Sequence, residues 1–532
     1  MLDGAHPACL RIPDIGIARQ GSLAVDPMTG EGDEPQVGRS PTAGQEDLSV
    51  HSLRSNSAQE IDGTVPPTVD RILRPISPDS VLRSPAGVEL SRRRDIRSVW
   101  LARSILAILV VGYLSWLYVA GRGFYFHVFD EWLLVANRAD PSLAAYFRPF
   151  NGHLIALSVL VYQVMLRLFG LGSYAPYLGL AAAAHLTCVV LIFEYTRRRA
   201  GLVVGLGCAA ILLYFSQGAE DLFWAFQIGF LGSLALGLIA LLLSEGRPWS
   251  TRRSVAISAC LIGATAMSGV GLVMMVVFFV MVRRPKELLV LIPPAAMWAI
   301  WWFSWSSGSP QVPGASVVAY WLAASRVIGE ILVSPAGPGS LVVPIIALAG
   351  IVGYLCGWRP TRWTVGGLAG LVALYASIGF RGGWLPIVAE PSRYRYVGMV
   401  LVLVAAAPVA GQFLARVPAG GGGHRAAVVG LTAVLAVPLA LGLVGFPHAF
   451  ANWEYWSLNF RAQAHVVDTR GGQQAPGITF DAMPQLTISL YRSVMDRWGP
   501  PRYNPYTLAL LGQRPFVALA QRMSTQMDST LP

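Results

Sequence analysis

Lysine is all but missing from this chain. Lys286 is the only one, so arginine carries nearly all the positive charge behind a formal net charge of +11. Charge of either sign is scarce, at 13% of residues. A nucleic-acid binder gathers its basic residues on a soluble face or domain, and no such domain can be marked out here. Five cysteines are present. Cys9 lies near the start, while Cys188, Cys208, Cys260 and Cys356 lie in apolar segments. None has metal-ligand spacing and no pair suggests a disulfide. Near Met1 there is no apolar run followed by a cleavage site, which argues against a signal peptide. No apolar segment carries the run of buried charges expected of a proton relay. The inverted repeats of many transporters are not evident either.

Apolar sequence is what the chain has in abundance. Hydrophobic residues make up 54% of it, with a mean hydropathy of +0.52. Many segments approach the roughly 20 apolar residues needed to cross a bilayer. The expectation is an all-α polytopic membrane protein with about eleven transmembrane helices and further helices lying in the outer interface.

Residues 1–97 are rich in Pro, Ser, Gly, Asp and Arg and read as a disordered tail. The tail ends in Arg92, Arg93, Arg94 and Arg97, just before a first span at Trp100–Val119. The positive-inside rule puts that cluster, the tail and the N-terminus in the cytoplasm. The segment Asn151–Phe169 is read as an interfacial helix, because a full span there would carry Arg197, Arg198 and Arg199 outside. Spans then follow at Tyr174–Tyr195, Gly201–Phe215 and Ala225–Ser244. Ser254–Val282 reads as a short hairpin of two spans, broken at Ser268–Gly271. Leu288–Phe303 ends in an aromatic belt of Trp301, Trp302 and Trp305. Arg326 and Glu330 favour an interfacial helix over Ser316–Leu332. Later spans are expected at Leu341–Gly357 and Val365–Phe380, then, after an outer loop over Arg381–Tyr396, one running to Leu414, and one at Ala426–Phe446. The rest, 447–532, is expected as a small extracytoplasmic segment, and 98–446 as the transmembrane domain.

This layout delivers the unusual polar residues to the outer face: Asp130, Glu131, Asn151, His153, Glu220, Asp221, Glu390, Arg393 and Arg395. Ionisable groups at a membrane boundary are functional candidates because their desolvation is costly. Several of these positions also have a plainer reading. Asp130 can cap a helix, and Glu220 and Asp221 suit a helix first turn. Trp224 can anchor at the interface. His153 can be structural, and Arg393-Tyr394-Arg395-Tyr396 can be an anchor with snorkelling side chains. Arginines at an outward end run against the usual loop bias, which tips the last case toward anion binding.

The order of these features resembles the glycosyltransferase-C superfamily: a first span, an acidic loop with Asp130-Glu131, FNGHL, then SQGAEDLFWAFQIGFLG, and PSRYRYVG before a late span. The resemblance covers roughly Trp100 to Phe446 and points to membrane enzymes of actinobacterial type. It implies an inverting transfer of a sugar from a polyprenyl-phosphate carrier to a cell-envelope glycan, lipid or protein at the plasma membrane. Asp130, with Glu131 as competitor, would be the base. Arg393, with Tyr394 and Arg395, would hold the carrier phosphate. Asn151 and His153 would contact carrier or acceptor, and Trp224 and Gln227 the sugar. Glu220 and Asp221 would bind sugar hydroxyls or a divalent metal, Mg²⁺ or Mn²⁺, since some relatives use a metal and others do not. The competing classes are a lipid-linked sugar flippase or other transporter, and a non-catalytic envelope-assembly protein.

Overall fold

In hydrocarbon, an isolated segment satisfies its backbone polar groups only by becoming a helix. The computed structural model follows that rule. It describes residues 85–138, 140–246, 249–305, 359–382, 392–418, 421–470 and 477–529, all within one unit, Val81–Pro532. Among the described residues, six helices are long and apolar enough to cross a membrane, or seven if one bent pair is a single span. The chain is an all-α polytopic membrane protein. The expected elements at Ser316–Leu332 and Leu341–Gly357, and Glu390, lie outside the described residues.

Helix α1 (Pro85–Ala120) starts earlier than expected and takes in Pro85 to Arg97, which composition had assigned to the tail. It exposes Trp100, Leu101, Ile108, Val111 and Tyr118, as a lipid-facing helix does. Helix α2 (Phe129–Asn137) carries the acidic pair in its first turn. Helix α3 (Leu143–Phe147) is a single turn or so, started by the Ser142 side chain accepting from the Ala145 N–H. Helix α4 (Ala156–Phe169) has 14 residues. That is about 21 Å, short of a hydrocarbon core of about 30 Å.

Helix α5 (Ala175–Ala200) is central and packs against α6 (Leu202–Leu213), α8 (Ile228–Leu243) and α13 (Ser392–Arg416). It ends at Gly201, φ 88°, with three arginines in its last turn, where cations suit the helix dipole. Helix α6 stops short of the expected span end and bends by 44° into Ser216–Phe223, whose last part is α7 (Ala219–Phe223). Helices α9 (Thr251–Met267) and α10 (Val270–Met281) form the expected hairpin. Gly271 lets it close, since a Cβ there would run into the Ala264 and Thr265 backbone.

Structure and expectation also part further on. The Trp301 indole, near the end of α11 (Ile292–Trp305), is not a belt residue: it is 3% exposed and donates to the Phe147 carbonyl at 2.7 Å. Trp302 and Phe303 are the exposed rings there. After α12 (Arg362–Gly382), α13 begins at Ser392, so Arg393–Tyr396 are helical and not loop. Helix α14 (Gly422–Arg470) runs 49 residues, with Pro438 and Pro447 inside it. The expected boundary between Phe446 and Pro447 therefore falls within one helix. Its far half packs on the last helix, Arg514–Ser529, on the antiparallel pair β1 (Thr479–Phe480) and β2 (Met483–Thr487), and on α15 (Ile488–Trp498). The Phe460 ring lies 5.1 Å from Phe480 and 5.5 Å from Trp132 of α2, and Tyr491 lies 5.5 Å from Trp132. The C-terminal segment is thus part of the main core and braces the helix that bears the acids. Two short helices, α16 (Pro505–Leu511) and α17 (Arg514–Ser529), close the chain.

Candidate functional site

Adjacent residues on a helix point about 100° apart, and α2 uses that rotation to give its two acids different surroundings. Glu131 is fully buried. It accepts from Tyr162 Oη of α4 at 2.7 Å and from Tyr174 Oη, before α5, at 3.2 Å. Tyr174 Oη in turn accepts the Ala225 N–H at 2.8 Å. Glu131 thereby ties together α2, α4, α5 and the turn before α8. Burial pushes its pKa up to about 8, against the opposing pull of Tyr162, Tyr174, Trp224 and the Phe226 backbone. It is mostly a neutral acid at pH 7.

Asp130 faces the other way. It is not the helix cap: Val128 occupies that position and makes no side-chain cap bond. Its carboxylate lies 3.9 Å from Arg393 Nη1 and is hydrogen-bonded by the Asn151 side chain. Partial burial raises its pKa, while Arg393 and Asn151 pull it down. Asn151 reaches it from a tight turn. Phe150 and His153 exchange both backbone hydrogen bonds, at 3.0 and 2.9 Å. Asn151 and Gly152 between them have φ of 47° and 68°, the backbone that an Asn-Gly pair favours. The same turn lays the His153 ring against Gly269, where a Cβ would meet Nδ1 at 2.7 Å. His153 is thus placed at the tip of the α9–α10 hairpin.

Arg393, in the first turn of α13, is the hinge of the arrangement. Its Nε lies 3.6 Å from Glu220 Oε2, so the one guanidinium stands between Glu220 and Asp130. The guanidinium carbon is 5.8 Å from the Trp224 ring and 5.3 Å from that of Tyr394. Tyr394 also contacts Phe230, at 5.8 Å between rings. Two residues on along the helix, Arg395 points elsewhere and lies within electrostatic reach of Tyr375.

Glu220 and Asp221 do start a helix, but α7 is only five residues long. Asp221 is fully buried, close enough to Glu220 and Arg393 to feel their charge. Among the described residues neither of its oxygens has a hydrogen-bond partner, and nor does Gln227 Nε2. Trp224 is 2% exposed and Gln227 1%, so Trp224 is not an interfacial anchor. Among the described residues, no group of three or more His, Cys, Asp or Glu side chains is placed to hold a metal. Arg393 already supplies the cation beside Glu220.

The structure therefore brings together Asp130, Asn151, Glu220, Asp221, Trp224 and Arg393, and turns Glu131 away from them into a buried contact with Tyr162 and Tyr174. Sequence reasoning missed Tyr162 and Tyr174, which hold Glu131, and no local signal marks them. The Asn151-Gly152 dipeptide was a legible turn signal.

No protein-family model matches the chain, and no curated protein matches it. Among solved structures the chain is similar to ArnT from Cupriavidus metallidurans bound to undecaprenyl phosphate. The TM-score is 0.40 and the identity 13%, over 80% of this chain and 89% of that one.

Proposed function

We propose that the protein moves a sugar from a polyprenyl-phosphate carrier to a cell-envelope acceptor, at the outer face of the plasma membrane and with inversion. The observation that carries this reading is the placement of Arg393 between two carboxylates at 3.6 and 3.9 Å. A structural arginine closes on its carboxylate in a bidentate pair at about 2.7–2.9 Å. One held back from two carboxylates keeps donor capacity for a third anion. A phosphate monoester is such an anion, and it gains negative charge as its bond to the sugar breaks.

Asp130 takes the proton of the acceptor hydroxyl while that oxygen bonds to the anomeric carbon. The electron pair of the breaking bond leaves with the carrier phosphate, beside Arg393 and Tyr394. Glu131 does not compete for the role of base, because it is mostly protonated near neutrality and is already bonded by Tyr162 and Tyr174. Glu220, partly exposed, is the acid nearest to a sugar hydroxyl, with Asp221 and Gln227 buried behind it, and Asn151 orients Asp130. The arginines that end α5 support a cytoplasmic location for the opposite end of the bundle, with the N-terminus inside and residues 447–532 outside.

The test is transfer from defined polyprenyl-phosphate sugars into membranes that contain wild type or Asp130→Asn. Transfer by wild type and its loss in the variant, with carrier binding kept, is the expected result. Equal transfer by both removes Asp130 as base. Carrier export without transfer favours a flippase, and carrier binding without either favours an assembly protein.

A further inference from the structure

Beyond the acids, a row of aromatic rings leads away from Arg393. Trp224 stacks on Phe226, with ring centres 5.2 Å apart and 29° between planes. On its way to the next element it also faces Trp453, at 6.4 Å and 24°. The His127 and Trp453 rings then meet at 4.9 Å and 70°. Trp453 belongs to α14, in the stretch that sequence had set outside the transmembrane domain. Trp224 is buried, but Trp453 is only partly so. The row thus ends in an indole with part of its surface open, beside the segment that leads into α2.

His127 is held in one orientation. Its Nδ1 lies 3.0 Å from the Tyr125 carbonyl oxygen. That oxygen can only accept, so Nδ1 carries the hydrogen and Nε2 is left as a bare acceptor. Ser457, one turn after Trp453 on α14, approaches Nδ1 at 2.8 Å. Ser457 also bonds both the N–H and the carbonyl of Tyr125, each at 3.2 Å. Burial lowers the His127 pKa to about 4, which keeps the imidazole neutral across the neutral range. The ring is a fixed hydrogen-bond acceptor next to a partly open indole.

We propose that Trp453 and His127 form a carbohydrate subsite, with Trp453 carrying the apolar face of a sugar ring and His127 Nε2 accepting from one of its hydroxyls. A sugar has an apolar C–H face and a polar rim, so it needs one flat apolar wall with a few fixed polar atoms. His127 lies three residues before Asp130 and the other end of the row is Arg393. The sugar at Trp453 is therefore the acceptor's, and the acceptor is a glycan and not a protein or a simple lipid headgroup. This assignment to the acceptor rests on the proposed transfer; the subsite itself does not.

The full-length protein in nanodiscs is titrated with a panel of methyl pentosides, methyl hexosides and their disaccharides, read by saturation-transfer NMR. Wild type is expected to give a saturable signal on ring C–H protons for at least one of them. Trp453→Leu should weaken it by about tenfold and Trp453→Phe by less, the size expected from losing an aromatic contact. His127→Phe, which keeps a ring and removes the acceptor, should weaken it too. Trp456→Leu, at an exposed position on the same helix, should leave it unchanged. Unfolding temperatures measured alongside identify any misfolded variant, and the graded Phe variant then carries the comparison. No saturable signal from any sugar in the panel, or equal signals from wild type and the Trp453 variants, overturns the subsite. Binding of polyprenyl phosphate alone is measured in parallel. If carrier binds in an Arg393-dependent way but Trp453 variants bind sugar as wild type does, the subsite fails and the transfer reading stands. If carrier does not bind but sugar binding depends on Trp453, the transfer reading fails and the subsite stands.

Discussion

The two ends of this helical bundle use the same chemistry in opposite ways. Arg103, midway along α1, and Gly123, just past its end, are separated by helix of about 30 Å, one hydrocarbon thickness. At the Arg103 end four arginines close on carboxylates. Arg103 meets Glu194 at 2.8 Å, Arg198 and Arg199 meet Glu245 at 2.7 Å each, and Arg197 also pairs with Glu194. Arg199 further stacks on Tyr195 and Trp363, at 3.6 and 4.1 Å. At the other end one arginine stands off from two carboxylates, and a third acid beside them is buried without a partner among the described residues. A folded chain retains unsatisfied buried polar groups at a cost of about 1–3 kcal/mol each. Such a cost is expected where a ligand completes the set. The first end is closed on itself, and the second keeps the stand-off arginine and unpaired acid that the proposed carrier site calls for.

The largest effect that can break this contrast is at Asp130. Asp130→Asn keeps the shape of the side chain and removes proton acceptance, so turnover should fall by about 10²–10⁴-fold while carrier affinity holds. Wild-type activity should itself fall in acid, because the base must be ionised. Burial raises the Asp130 pKa, so the acid limb of the pH–rate profile lies above the ordinary carboxylate range. A limb at the ordinary position, or full activity in the variant, returns Asp130 to a structural part.

Arg393 comes next. Arg393→Ala should weaken polyprenyl-phosphate binding by about 10- to 150-fold, the range for a hydrogen bond to a charged group, and should slow transfer as well. Arg393→Lys restores charge without the planar fork and should rescue in part. Because Arg393 pulls the Asp130 pKa down, the acid limb of any residual activity in Arg393→Ala should move to higher pH. A limb that stays in place would separate the two residues and undo the shared-guanidinium picture.

Glu131 sharpens the comparison from the structural side. Glu131→Ala strips the acceptor from Tyr162 and Tyr174 and should cost about 1–3 kcal/mol for each hydroxyl left unsatisfied. Glu131→Gln should be milder and should change the pH dependence of stability. The folded-state pKa, about 8, is raised above the unfolded value, about 4.3. The stabilising contribution is therefore complete below about pH 4.3 and is lost as pH rises through 8. Wild type should lose ground to Glu131→Gln over that window in thermal unfolding. Parallel curves would show that Glu131 is ionised in the fold and reopen it as a base.

Most of the bundle was legible because a helix in hydrocarbon is a local solution that length and apolarity announce. The acids were legible because ionisable groups near a membrane are costly and few. What sequence could not separate was Asp130 from Glu131. They are neighbours in the chain, and only the packing of Tyr162 and Tyr174 decides which is buried. Trp453 and His127 were unreadable for the same reason, since they meet across more than 300 residues of chain. Trp301 looked like a belt residue by composition, and a single contact to the Phe147 carbonyl made it a buried one. Non-local contacts set each of these outcomes, and no periodicity records them.

The smallest effect is expected at the closed end. Arg198 bridges Glu245 and Glu194, at 2.7 and 3.6 Å, with its side chain 42% exposed. Pairs that exposed are worth about 0–1 kcal/mol and weaken with salt. Arg199, less exposed, keeps its own bond to Glu245 when Arg198 is removed, so the carboxylate is not left without a counter-ion. Arg198→Gln should therefore lower the unfolding temperature slightly at low salt and hardly at all at high salt. Carrier affinity and transfer should match wild type, because about 30 Å of helix separates this network from Arg393 and nothing in it offers a free donor to a phosphate. The charge change also bears on orientation. Arg197 and Arg199 remain beside the mutated position, so the inward bias of that loop should survive one substitution, as reported by protease protection of an epitope in it. A large loss of transfer in Arg198→Gln at wild-type stability would mean that the two ends communicate, and the division into a closed end and an open one would have to be given up.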